Sequence, residues 1–216
     1  MANVVVFDFD GVLADTLDEM LHISKQVCES MGYPCEPSPA DLNALNRMEF
    51  AELGKQLGIP EPRVDEFVER TFRLFSTRPA PPRIFPGMRE VVLGLADKTK
   101  IGILTGNTFQ VVDRFLETNE LSAAIDVVMS ADAPGNRSMK LERIVSQLGQ
   151  PEGKKYLVGD AVSDVKVARE GSVTSVVVTW GHQSEAKLCG ANPDYIVHTP
   201  SELLCILLDN IEQWGS

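Results

Sequence analysis

No stretch of this chain is strongly basic, no two cysteines stand at C-x-x-C spacing, and no apolar run approaches the ~20 residues needed to span a bilayer. Each absence removes a class of function. A net charge of -11, from 20 basic and 31 acidic residues, disfavours binding to nucleic acid or to an anionic membrane surface. Cys28, Cys35, Cys189 and Cys205 read as isolated, buried or partly buried thiols of a reducing cytosol rather than as a disulfide frame or a metal knuckle. The chain opens without a basic n-region, and VVVF is followed at once by Asp8 and Asp10, so a cytoplasmic protein without a signal peptide is expected. Internal repeats are also lacking, and the one biased stretch is proline-dense.

What is present is ordinary globular material. The 216 residues are 44% hydrophobic and 24% charged, enough for one large domain or for a core carrying a smaller insertion. Short Val-rich runs at 3–9, 100–104, 125–129, 155–158 and 173–178, with a weaker one at 194–197, suit strands buried on both faces of a parallel sheet. Helix-period stretches at 87–97, 108–118, 138–148, 161–170 and 200–211 separate them. This alternation predicts an α/β fold, a doubly wound and mainly parallel Rossmann-like sheet. Residues 16–83 break the pattern. Helices are expected there at 17–31, 39–46, 49–57 and 61–75, closed by a stiff strap from Arg78 to Pro86. The expected division is therefore an α/β core of 1–15 and 84–216 with an all-helical cap domain, 16–83, inserted after the first strand.

Four motifs fall where ligands gather in such sheets, at the carboxyl ends of strands. In Asp8-Phe9-Asp10-Gly11, residues i and i+2 of a strand end point to one side, so two repelling carboxylates converge and call for a cation or a proton between them. Thr105-Gly106-Asn107-Thr108 offers a hydroxyl and main-chain N–H groups at a helix start, which make a small anion site. Lys140 opens a helix, with Arg137 as a competing cation. Gly159-Asp160 and Asp164 place two acids one helical turn apart, and carboxylate oxygens suit Mg²⁺. An acidic chain can bind a phosphate ester where a metal ion and a few donors reverse the local field.

The stretch Asp8-Phe9-Asp10-Gly11-Val12-Leu13-Ala14-Asp15-Thr16 resembles the first signature of the haloacid dehalogenase-like superfamily, and the other three motifs follow in that family's order over nearly the whole chain. The resemblance implies a phosphoric monoester hydrolase: Asp8 as the nucleophile that becomes phosphorylated, and Asp10 as general acid/base. It implies Thr105, with Gly106 and Asn107, on the phosphoryl oxygens, Lys140 neutralising phosphate and nucleophile, and Mg²⁺ on Asp8, Asp10, Asp160 and Asp164. Asp10 argues against dehalogenation, since the dehalogenase branch lacks an acid there. The helical insertion resembles that of phosphoglycolate phosphatases and β-phosphoglucomutases, and Val178-Thr179-Trp180-Gly181-His182 resembles a loop of the former. Trp180 is expected half-buried beneath that loop, His182 exposed, and Arg47, beside Asn46 and Glu49, on a solvated helix face. A small phosphorylated metabolite is the expected partner, phosphoglycolate its leading candidate, and the chain is read as a monomer or homodimer. A sugar phosphomutase, an inorganic pyrophosphatase and a non-catalytic phosphometabolite sensor stand as alternatives.

Overall fold

The computed structural model describes residues 3–212. Its main sheet has six strands in the order β5-β4-β1-β6-β7-β8, every neighbouring pair parallel. These are β1 (Val4–Phe7), β4 (Lys100–Leu104), β5 (Val127–Met129), β6 (Lys155–Gly159), β7 (Thr174–Val178) and β8 (Tyr195–Val197). Val4, Val5, Val6 and Phe7 of β1 are all fully buried, because the pleat sends Val5 and Phe7 to one face and Val4 and Val6 to the other. The first face is covered by α5 (Met88–Ala96), α6 (Phe109–Thr118) and α10 (Pro200–Glu212). The second is covered by α7 (Arg137–Leu148) and α8 (Val162–Glu170). The result is a three-layer sandwich. The chain winds outward from β1 to β5, then returns to the other side of β1 at β6, so the crevice of this fold opens at the carboxyl ends of β1 and β6.

The helical insertion leaves and rejoins this core at one neck. A two-residue strand β2 (Ala14–Asp15) pairs antiparallel with β3 (Arg83–Ile84), a hairpin-like closure that the hydrophobic pattern does not signal. Between them lie α1 (Leu17–Ser30), α2 (Pro39–Ala44), α3 (Phe50–Gln56) and α4 (Val64–Ser76). They bury an apolar cluster of their own, including Ile23, Val27, Leu53, Phe67 and Phe75. On α4 the buried positions Val64, Phe67, Thr71 and Phe75 recur at helical spacing and form the stripe that faces the other helices. The proline strap is fastened to the core: Arg114 donates to the carbonyls of Arg78 and Pro79 at 3.2 and 2.8 Å. Arg78, itself buried, forms a partly buried ion pair with Glu19 at 2.5 Å.

Two details differ from expectation. A short helix α9 (Glu185–Gly190) follows β7 where the sequence pattern suggests only loop. Of the cysteines, Cys28 is buried and Cys35 partly so, but Cys189 and Cys205 are exposed. No described helix is long and apolar enough to cross a membrane.

Candidate active site

Asp8 stands just past β1, its N–H bonded to the Val158 carbonyl of β6 at 2.8 Å. Asp160 follows β6 directly, and Asp164 lies in the first turn of α8. One oxygen from each of these three carboxylates lies within 4.8 Å of the others. This packing needs residues without side chains around it. A Cβ on Gly11 would sit 2.0 Å from Asp160 Oδ2, and Gly11 holds φ +77°, a left-handed conformation that glycine adopts without strain. A Cβ on Gly181 would lie 2.4 Å from the same oxygen.

Cations and donors then fix each acid. Arg137 Nη2 bridges Asp8 Oδ2 at 2.9 Å and Asp164 Oδ1 at 2.7 Å. Asp160 Oδ2 accepts from the His182 N–H at 2.7 Å and meets His182 Nδ1 at 2.9 Å. Asp164 Oδ2 accepts from the Ala161 N–H at 3.1 Å. Asp10 Oδ2 accepts from Asn107 Nδ2 at 2.5 Å, while Asp10 Oδ1 is buried with no hydrogen-bond partner among the described residues.

Burial dominates the electrostatics. It pushes the Asp8 carboxyl up to about 8, against the pull of Arg137 and with help from Asp164, Asp160 and Asp10. It likewise raises Asp10 and Asp164 above the ordinary carboxylate range, each opposed by a neighbouring cation, His182 for the first and Arg137 for the second. Burial opposes charge on His182 too, yet the Asp160 carboxylate outweighs it and lifts the imidazole to about 9.

Three of the four motifs meet as expected. Thr105 is buried, and its Oγ1 accepts from the Asn107 N–H at 3.0 Å. Gly106 and Asn107 line the cavity beside Asp8 and Asp10. Lys140 does not join them. Its ammonium is buried and donates to the Ser130 carbonyl at 2.7 Å, and among the described residues no ion pair links it to Asp8. Arg137, the first residue of α7, stands there instead, against Asp8 and Asp164. His182 also departs from expectation: it is 6% exposed and held against Asp160. Its position just past β7, at the same sheet edge as the aspartates, was the available signal. Trp180 is half-buried as expected, edge-on to Phe85 with centroids 6.5 Å apart.

Above this floor opens a cavity of about 980 Å³ whose far wall is the helical insertion. Asn46, Arg47 and Glu49 line it, with Arg47 paired to Glu52 at 2.7 Å and to Glu49 at 3.8 Å. The buried Gln183 ties wall to floor. Its Oε1 accepts from the Val162 N–H at 2.8 Å and its Nε2 donates to the Leu45 carbonyl at 2.7 Å. Lys187 Nζ adds bonds to the carbonyls of Asn43 and Leu45.

Four carboxyl groups, all presenting oxygen, thus crowd one floor against Arg137 and His182. The converging oxygens of Asp8, Asp160 and Asp164 fit a hard divalent cation such as Mg²⁺.

Comparison with known proteins agrees with this arrangement. Residues 5–178 match the model of the haloacid dehalogenase-like hydrolase family. The phosphoglycolate phosphatase of Synechococcus elongatus is 29% identical over 205 residues, 94% of this chain and 95% of that protein. The phosphoglycolate phosphatase of Caulobacter vibrioides is 26% identical over 211 residues, 90% of this chain and 86% of that protein. A haloacid dehalogenase-like family hydrolase from Streptococcus pneumoniae shares the fold with a TM-score of 0.80 at 20% identity, covering 95% of this chain and 98% of its own.

Proposed function

The chain belongs to the haloacid dehalogenase-like hydrolase family, and we propose that it is a Mg²⁺-dependent phosphatase that hydrolyses a small phosphate monoester through a phosphorylated Asp8. The observation that carries this reading is the convergence of Asp8, Asp160 and Asp164 within 4.8 Å, with Asp10 beside them. Binding alone requires no second, proton-bearing carboxyl next to a nucleophile.

In the first step an Asp8 oxygen attacks phosphorus, the bond from phosphorus to the ester oxygen breaks, and Asp10 gives a proton to that departing oxygen. Burial keeps Asp10 protonated more readily than an ordinary carboxyl, and Oδ1 is the free atom from which the proton leaves. In the second step water attacks phosphorus and gives its proton to Asp10, which releases inorganic phosphate and restores the Asp8 carboxylate. The Thr105 hydroxyl accepts from Asn107 N–H, which leaves its own hydrogen for a phosphoryl oxygen. Arg137 takes the charge-neutralising role the sequence suggested for Lys140, with Lys140 bracing the Ser130 turn behind it. Mg²⁺, held by Asp8, Asp160, Asp164 and the Asp10 main-chain carbonyl, would act as Lewis acid on the phosphoryl oxygens. The insertion, residues 16–83, acts as the cap that excludes water.

Phosphate release from a panel of esters with Mg²⁺, phosphoglycolate among them because the relatives carry that name, tests the reading. Asp8→Asn should lower turnover by roughly 10⁴-fold or more while leaving cooperative unfolding intact. Substantial activity in that variant, or in wild type with EDTA, would remove the nucleophile or the metal from the scheme.

A further inference from the structure

The phosphoryl site uses only the floor of the cavity. The wall above it is apolar and aromatic, formed by Met20, Leu45, Met48, Phe50, Leu53 and Phe72. Met48, Phe50 and Phe72 are only partly buried, so each offers a face to the cavity instead of being consumed in the insertion's core. Phe50 is held from behind by a stacked Phe75, centroids 5.4 Å apart. The wall is also anchored, since Gln183 and Lys187 both bond the Leu45 carbonyl at its base.

The charges on this wall pair among themselves: Arg47 meets Glu52 at 2.7 Å and Glu49 at 3.8 Å. Two lining carboxylates of the insertion, Glu49 and Glu52, thus face its one lining cation, Arg47. A leaving group bearing its own carboxylate would therefore lose hydration on entering and meet a wall that is slightly negative. An uncharged ring meets the opposite situation. Aromatic faces and a thioether offer it offset-stacked and sulfur–ring contacts, and the volume suits a ring-bearing ligand better than a short acid.

We infer that the wall formed by Met48, Phe50 and Phe72 binds an uncharged aromatic or heteroaromatic ring, so that the preferred substrate is a phosphate monoester whose alcohol carries such a ring. This rests on the phosphatase reading and narrows its substrate class.

Three esters of primary alcohols test it: 2-phenylethyl phosphate, ethyl phosphate and phosphoglycolate, each assayed for phosphate release with Mg²⁺. Their leaving groups are all primary alkoxides, so differences report the pocket. The expected result is a kcat/KM for 2-phenylethyl phosphate roughly ten- to a hundredfold above that for ethyl phosphate, with phosphoglycolate no better than ethyl phosphate. Met48→Ala and Phe72→Ala should each reduce the phenylethyl-to-ethyl ratio several-fold, with circular dichroism confirming the fold. If a variant fails to fold, the wild-type ratio alone decides. Phosphoglycolate turned over as well as, or better than, 2-phenylethyl phosphate overturns the inference and leaves the phosphatase reading standing. No release from any of the three overturns the phosphatase reading, and the inference with it.

Discussion

The floor of the cavity and the wall above it are built by contrasting physics. At the floor, Asp160 Oδ2 receives two donors from His182 while Gly11 and Gly181 press so close that neither has room for a Cβ. On the wall, Phe50 and Phe72 lie partly open, and elsewhere in the same insertion Gly32, just past α1, has nothing within 4 Å of where a Cβ would stand. The floor is a charged lattice in which Asp160 and Asp164 are each fixed by more than one contact. The wall is shaped by apolar packing, which tolerates substitution while volume and pattern are kept. Chemistry demanding sub-ångström placement sits on the first, and recognition, which can be retuned, sits on the second.

Paired glycine substitutions expose the contrast most strongly. Gly11 and Gly32 have nearly the same backbone angle, φ +77° and +82°, but opposite surroundings. Gly32→Ala should cost about 1–2 kcal/mol of conformational strain and leave turnover near wild type. Gly11→Ala adds overpacking against Asp160 to that strain, for a total of about 2–5 kcal/mol, and should abolish measurable turnover. Chemical denaturation and phosphate release measure both. Equal costs at the two sites would erase the distinction between crowded floor and open insertion.

Next in size is Arg137. Arg137→Met leaves Asp8 and Asp164 without the guanidinium that bridges them, and kcat/KM should fall roughly 10²- to 10³-fold. Lys140→Met should act mainly on stability, since that ammonium serves the Ser130 carbonyl. If Lys140→Met proves the more damaging to kcat, the assignment reverses. The Gln183 tie is weaker still. Gln183→Ala strands the Val162 N–H, whereas the Leu45 carbonyl keeps Lys187, so a loss of about 1–2 kcal/mol is expected. KM should rise more than kcat falls, because the tie places the wall and not the nucleophile.

The same contrast explains what was legible in the sequence. The buried β1 run and the Asp8, Asp10, Asp160 and Asp164 positions follow from strand periodicity and from acids at strand ends, both local properties. The helical insertion announces itself through a change of period over residues 16–83. The contacts of Arg137, His182 and Gln183 were not legible, because they depend on which helix turn faces the crevice and on loops brought together across 21 to 138 residues of chain. The resemblance favours Lys140 with Arg137 as competitor, and the register of α7, which brings Arg137 against Asp8 and Lys140 against the Ser130 carbonyl, is not written in residue type. The β2–β3 neck is too short for any periodicity to show.

The smallest effect distinguishes the two regions by the sign of their response to pH. In the insertion, Asp41 closes the start of α2 by accepting from the Ser38 N–H at 2.9 Å and the Ser38 hydroxyl at 2.7 Å, and this hydroxyl bond chiefly holds its carboxyl below the usual range. A carboxyl lowered in the folded state stabilises fully above its unfolded pKa of about 3.9 and loses that contribution as pH falls through the folded value. Asp41→Asn should therefore cost a few tenths to about 1 kcal/mol at pH 7 and converge on wild type in acid. At the floor the sign reverses. Asp8, raised to about 8, binds its proton more tightly folded than unfolded, so metal-free protein should lose stability as pH climbs from about 4 towards 8. Thermal unfolding in EDTA across that range measures both limbs, and a floor that stiffened with rising pH would show that its carboxylates are not held together against their own repulsion.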